Sequence, residues 1–200
     1  NFILPLLTFG FGGAVIYYIS AGKRRAEDVG FTVVVVGLVQ GLLSAGLTYG
    51  LWAAGLLGRT GGETPTRDLF VTLLLVPLQG AQLMGSRVLF GESRFGISNW
   101  LNVARAAPNP MLLLACVVGP RMGLWGAVLA TALLNLAMTI ATVAAMYPQR
   151  WRFTVNADFL REAGRYGMKM WVGDLATRAN LRLDQMLLGI FATPAALGNY

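Results

Sequence analysis

The chain has no histidine and a single cysteine, Cys116. The first absence removes histidine triads, imidazole metal ligands and imidazole proton shuttles, and the second excludes an intrachain disulfide. Charge is also scarce: Asp, Glu, Lys and Arg make up 12% of residues, with 9 acidic against 16 basic. A soluble domain of ordinary composition carries about twice that share. In place of charge stand 56% hydrophobic residues and a mean hydropathy of +0.59, the composition of an integral membrane chain. The net charge of +7 does not indicate nucleic acid, because the basic residues sit in short clusters between apolar runs. Cys116 lies inside such a run and reads as a small buried hydrophobe.

A helix needs roughly 20 apolar residues to cross a bilayer. Runs of that kind end near Ser20 and then cover Phe31 to Leu57, Leu69 to Phe90, Ile97 to Val118, Leu124 to Met146, and Met168 to Phe191. The sequence therefore predicts an all-α, polytopic transmembrane helix bundle of about six spans. The chain opens at Asn1-Phe2-Ile3-Leu4 without an initiator Met or a signal-peptide n-region, and reads as an internal fragment of a longer transporter-sized protein. Lys and Arg alternate between the connections. One set holds Lys23, Arg24, Arg25, Arg87, Arg94, Arg150, Arg152, Arg161, Arg165 and Lys169, and the other only Arg59, Arg67 and Arg121. The first set is expected on the cytoplasmic side.

Arg105, Arg178 and Arg182 belong to neither set because they fall within spans, as do Asp174 and Asp184. Charges at that depth are costly and normally face a wet cavity or a partner helix. At 100° per residue, Asp174, Arg178, Arg182 and Gln185 share one stripe and Thr177, Asn180 and Asp184 a second. The other spans repeat the pattern with Gln40, Ser44 and Thr48; Gln79, Gln82 and Ser86; Asn102, Arg105 and Asn109; and Thr131, Asn135, Thr139 and Thr142. Such residues also glue neighbouring helices, at about 0.6 kcal/mol per hydrogen bond, and Asp174 can pair with Arg178 at i, i+4. Gln79 and Asn102 stand out, because a large amide left unpaired in hydrocarbon costs more than a hydroxyl that bonds back to its own helix. The arginines outnumber the acids within the spans, which favours an anionic cargo over an organic cation. Substrate contact is thus expected from Arg105, Arg178, Arg182, Gln79, Asn102 and Asn109, and ion pairing or coupling from Asp174 and Asp184. No metal site or cofactor is expected.

Pro77, Pro108 and Pro110 lie inside spans, where each removes a helix hydrogen bond. A kink after Arg105 that presents Arg105 and Asn109 to a polar space is one reading, and a simple packing kink the other. Gly37 and Gly41, and Gly46 and Gly50, have the spacing that lets helices approach closely, and all four are assigned to packing. Between Tyr147 and Arg165, Phe159, Leu160, Ala163 and Tyr166 share one face and Arg161, Glu162 and Arg165 the other. That pattern predicts an amphipathic helix along the membrane interface with Asn156 as its cap, an ordinary basic loop being the alternative. The expected organisation is 1–146 as five first-lobe spans, 147–166 as linker and 167–200 as the start of a second lobe.

Several short motifs keep a common order along the chain. They are Gly10-Phe11-Gly12 leading to Tyr17-Tyr18-Ile19-Ser20, Gly123-Leu124-Trp125-Gly126-Ala127, Arg165-Tyr166-Gly167, Arg182-Leu183-Asp184, Leu188-Gly189-Ile190-Phe191 and Leu197-Gly198-Asn199-Tyr200. Together they resemble polysaccharide flippases of the multidrug/oligosaccharidyl-lipid/polysaccharide exporter superfamily. The resemblance implies a two-lobed transporter of 12–14 helices in a bacterial or archaeal cytoplasmic membrane, not an enzyme. Its cargo would be a lipid-linked glycan of polyprenyl-pyrophosphate type, moved to the outer leaflet by alternating access, with membrane lipids and a glycan polymerase as partners. Arg105, Arg178 and Arg182 would hold the pyrophosphate or an acidic sugar. A multidrug-type exporter of the same superfamily, or a membrane-embedded glycan polymerase or glycosyltransferase of the same pathway, is the alternative.

Overall fold

The structure, a computed structural model, describes residues 8–55, 72–118, 124–146 and 153–173. Among the described residues every regular element is a helix. In chain order these are α1 (Phe11–Ser20), α2 (Ala26–Ala53), α3 (Val76–Gly91), α4 (Phe95–Ala106), α5 (Pro108–Val118) and α6 (Leu124–Met146), followed by α7 over residues 157–173. An all-helical membrane bundle follows from solvent: in lipid each backbone group needs a partner, and a helix supplies them from its own segment.

Local chemistry explains where the helices stop. After α1, Gly22 adopts φ 66°; its N–H reaches the Ile19 carbonyl at 3.0 Å and that of Lys23 reaches Tyr18 at 3.0 Å. This is a Schellman closure, and glycine takes the left-handed position without a Cβ clash. α3 ends in the same way with Ser93 at φ 59°, its N–H on Phe90 at 3.0 Å and that of Arg94 on Leu89 at 2.9 Å. α2 carries Glu27 and Asp28 in its first turn, where carboxylates favour the positive end of the helix dipole. Its 28 residues reach about 42 Å at 1.5 Å per residue.

Among the described residues three helices are long and apolar enough to cross a membrane: Ala26–Ala53, Thr72–Gly91 and Trp125–Met146. The remaining three expected spans differ. α1 has 10 residues, the run from 97 to 118 is divided between α4 and α5, and the last run extends beyond the described residues. The division falls at Ala107, directly before Pro108. A proline ring clashes with the carbonyl one turn back and carries no N–H, and Pro110 removes another donor; Ala107 itself keeps helical dihedrals, φ -68° and ψ -45°. Pro77, by contrast, lies in the first turn of α3, where a missing N–H costs little.

α3 is the hub, packing against α1, α2, α4 and α6. Its crossing with α2 is backbone on backbone: a Cβ on Gly37 would meet the Gly80 carbonyl at 2.5 Å, and one on Gly41 would run into Pro77. Gly46 and Gly50 have nothing within 4 Å, so the packing role expected for them is absent among the described residues. The apolar core gathers at the basic end of the bundle, where Phe11, Val15, Val29, Val33, Met84, Val88, Leu89 and Met146 surround Phe159 and Ala163 of α7. Away from it, Leu42, Leu43, Leu47 and Ile140 stand exposed, as lipid-facing side chains would.

α7 is capped by Asn156, whose Oδ1 accepts from the Phe159 N–H at 2.9 Å, while the Asn156 N–H donates to Thr32 Oγ1 at 2.9 Å. Phe159 and Ala163 of its apolar face are fully buried against protein, while Leu160 of that face stays exposed. Phe159 packs edge-on to Phe11 and Tyr18 at 5.9 and 6.0 Å. A Cβ on Gly10, itself at φ 67°, would collide with the Gly167 carbonyl. The helix runs without a break past residue 166.

Candidate functional site

α3, α4 and α6 enclose a polar cavity of ≈ 120 Å³. α3 contributes Gln79, Gln82, Leu83 and Ser86, α4 contributes Ser98, Leu101, Asn102 and Arg105, and α6 contributes Thr142. Positions 79, 82 and 86, and again 98, 101, 102 and 105, follow the three- and four-residue spacing of one helix face. Two hydroxyls are already committed to their own helices, Ser86 donating to the Leu83 carbonyl at 2.7 Å and Thr142 to the Met138 carbonyl at 2.8 Å. Gln82 is different. It is only 9% exposed, and among the described residues its Oε1 accepts no hydrogen bond. A buried amide oxygen without a donor costs about 1–3 kcal/mol, a penalty that a hydroxyl-bearing guest would remove.

Arg105 supplies the charge at this cavity, and no ion pair among the described residues involves it. A guanidinium offers a planar fork of donors to a phosphate or carboxylate, while amides and hydroxyls serve both senses of hydrogen bond with a sugar. At ≈ 120 Å³ the cavity is smaller than the ~300–1,000 Å³ of complete ligand pockets. It has the size of a notch that holds part of a larger polar guest.

Of the residues singled out by sequence, Gln79, Asn102 and Arg105 come together here. Asn109, exposed on α5 beyond the turn at Ala107, is not among the residues that line the cavity. Asp174, Arg178, Arg182 and Asp184 lie outside the described residues. Sequence reasoning placed Gln82 on the polar stripe of Gln79 without counting it among the substrate contacts, and did not single out Ser98. Gln82 carried a signal in its i+3 relation to Gln79, and Ser98 in its i−4 relation to Asn102.

The other polar stripes mostly serve the helices themselves. Thr48, Thr131 and Thr142 donate to carbonyls four residues back at 2.7, 2.8 and 2.8 Å. Thr139 donates to Asn135 at 2.8 Å and lies 3.3 Å from the Leu78 carbonyl of the neighbouring helix. Gln40 Nε2 donates to the Thr8 carbonyl at 3.3 Å.

Charge concentrates at the basic end. A second cavity, of ≈ 580 Å³, is lined by residues of both signs, among them Arg24, Arg25, Glu27 and Glu92. Burial raises the Glu92 carboxyl above the usual carboxylate range, opposed by Arg94 and reinforced by Glu27. Lys23 is raised by its hydrogen bond to the Tyr17 hydroxyl, at 2.8 Å. Arg94 Nη1 donates to the Ala145 carbonyl at 2.8 Å and ties the loop after α3 to the end of α6.

The sequence matches the family profile described as polysaccharide biosynthesis protein over residues 2–200. Comparisons with curated proteins and with solved structures return no significant match. A profile that covers nearly the whole chain, on a bundle with three helices of bilayer length among the described residues, settles the family: the protein belongs to the polysaccharide biosynthesis proteins and is a membrane protein of polysaccharide synthesis or export.

Proposed function

We propose that the protein is a transporter that flips lipid-linked oligosaccharide from the cytoplasmic to the outer leaflet of a prokaryotic cytoplasmic membrane, with the notch between α3, α4 and α6 holding part of the glycan. The observation that carries this is the buried, unpaired Oε1 of Gln82 beside Asn102 and Arg105. A polar guest that visits and leaves would satisfy it only while bound. Arg105 would meet an acidic sugar or phosphate oxygen, and Gln79, Gln82 and Asn102 the hydroxyls. Arg178 and Arg182 would add to the positive field, with Asp174 and Asp184 holding those arginines extended or coupling to an ion. Alternating access requires the guest to bind the two states differently, and charged groups that exchange partners supply such a difference. No step makes or breaks a covalent bond, so the chain would act as a carrier, delivering to a polymerase and not performing its chemistry.

The test is complementation of flippase-deficient cells by the full-length protein. Arg105→Ala and Gln82→Leu should each cut polysaccharide assembly at least tenfold while membrane insertion stays normal, a factor of ten being about 1.4 kcal/mol of lost interaction. Arg178→Ala and Arg182→Ala should do the same. Wild-type glycan levels in both Arg105→Ala and Gln82→Leu would remove the notch from the transport path.

A further inference from the structure

A third cavity, of ≈ 250 Å³, opens where α7 crosses α1 and is lined by Tyr18, Glu162, Arg165, Tyr166 and Lys169. Positions 162, 165, 166 and 169 form one face of α7. Four cations cluster around it, and two are already engaged. Arg24 Nη2 donates to both carboxylate oxygens of Glu162, at 2.9 and 3.0 Å. Lys23 is held by the Tyr17 hydroxyl at 2.8 Å and lies 4.7 Å from that ring. Arg165 and Lys169 remain, one turn apart, and among the described residues neither is in an ion pair. The cavity therefore presents a net positive charge on a built aromatic floor: Tyr166 stacks on Tyr17 at 4.6 Å and 7° and meets Tyr18 edge-on at 5.9 Å.

The same helix fixes the depth of this cavity relative to lipid. Met168, Met170 and Val172 are exposed on α7. From Arg165 through Lys169 to Val172, steps of four and three residues on one stripe, the surface passes from charge to apolar within two turns. Tyrosines at that transition, with cations on one side and aliphatic side chains on the other, are the arrangement of a membrane–water boundary. A phosphate held there would have its acyl chains beside Met168 and Val172 and its charge beside Arg165 and Lys169.

We infer that Arg165 and Lys169, over Tyr18 and Tyr166, form a binding site for the phosphate of an anionic glycerophospholipid from the surrounding membrane. The site requires only that the chain resides in a membrane and is independent of what the notch between α3, α4 and α6 carries. Occupancy would brace α7 against α1, since the lipid phosphate would bridge α7 cations beside an α1 tyrosine.

The full-length protein, reconstituted in mixed phosphatidylcholine and phosphatidylglycerol and re-extracted, tests this by mass spectrometry of the retained lipid. Wild type should retain phosphatidylglycerol over phosphatidylcholine. The double variant Arg165→Gln/Lys169→Gln should lose roughly 30-fold of that preference, about fivefold per cation near the surface. Arg165→Lys with Lys169→Arg should keep most of it, and Arg161→Gln, which changes a cation outside the cavity, should leave it intact. Equal retention of the two lipids by wild type, an equal loss in Arg161→Gln, or no loss in the double variant would each overturn the site. So would displacement of the retained lipid by millimolar inorganic phosphate, which would make it a pocket for soluble anions.

Discussion

Gln82 is the residue at which stability and use of the site pull apart. Its Oε1 is buried without a donor, so replacing the side chain with an apolar one of similar volume removes a desolvation cost. Gln82→Leu should be neutral to stabilising, by up to about 1–3 kcal/mol, in thermal melts of the detergent-solubilised protein, even as glycan output falls. Marked destabilisation would mean that the amide serves the fold instead. Glu92 makes a second prediction at this scale. Burial, opposed by Arg94, holds its folded pKa above the ordinary carboxylate value, so the folded chain binds its proton to higher pH than the unfolded one. Its contribution is most favourable in acid and is lost as pH rises from the ordinary value through the raised one. The melting temperature of Glu92→Gln relative to wild type should therefore climb as pH rises from the ordinary carboxylate value through the raised one; a constant offset would remove Glu92 as the titrating group.

Among the elements, the α2–α3 crossing and the α7 cap offer the clearest tests. Gly80 leaves no room for a side chain, since its Cβ would collide with the Gly37 carbonyl. Gly80→Val should force the helices apart and cost about 1–3 kcal/mol, the usual penalty of overpacking. Gly46→Ala meets nothing within 4 Å and should be neutral or gain up to about 1 kcal/mol of helix propensity. Both stability changes are read from melts in detergent. Asn156→Ala should cost about 1 kcal/mol, seen as earlier loss of helicity and faster amide exchange at Phe159. The two glycine pairs share one spacing and, among the described residues, only one pair packs, because spacing names a helix face and not what stands opposite. The Asn156 cap was legible because its acceptor serves a backbone N–H three residues away. The docking of α7 on α1 was not, since its apolar face suits a membrane surface and a protein surface equally.

At the scale of the molecule, orientation is the property most open to test. The basic connections carrying Lys23 to Arg25 and Arg94 are expected inside, and the connection carrying Arg59 outside. Cys116 is the one thiol in this sequence, so Cys116→Ala clears these 200 residues for single reporters. Ser93→Cys should react with a membrane-impermeant maleimide only after permeabilisation, and Gly61→Cys in intact cells. The reverse pattern would invert the topology and place the Arg165 and Lys169 cavity on the outer leaflet.

Sequence alone determined that the chain lives in a membrane as helices. Apolar length and scarce charge leave the backbone no partner but itself, whatever the neighbours are. It also gathered Gln79, Asn102 and Arg105 as candidates, because each is costly to leave in hydrocarbon. Tertiary structure decided which of the polar stripes enclose space. Asn109 lies outside the notch that Arg105 lines, packing of three helices drew Gln82, Ser98 and Thr142 into it, and back-bonding took up the hydroxyl of Thr131. Helical periodicity reports direction about one axis, whereas a cavity exists only where several axes meet.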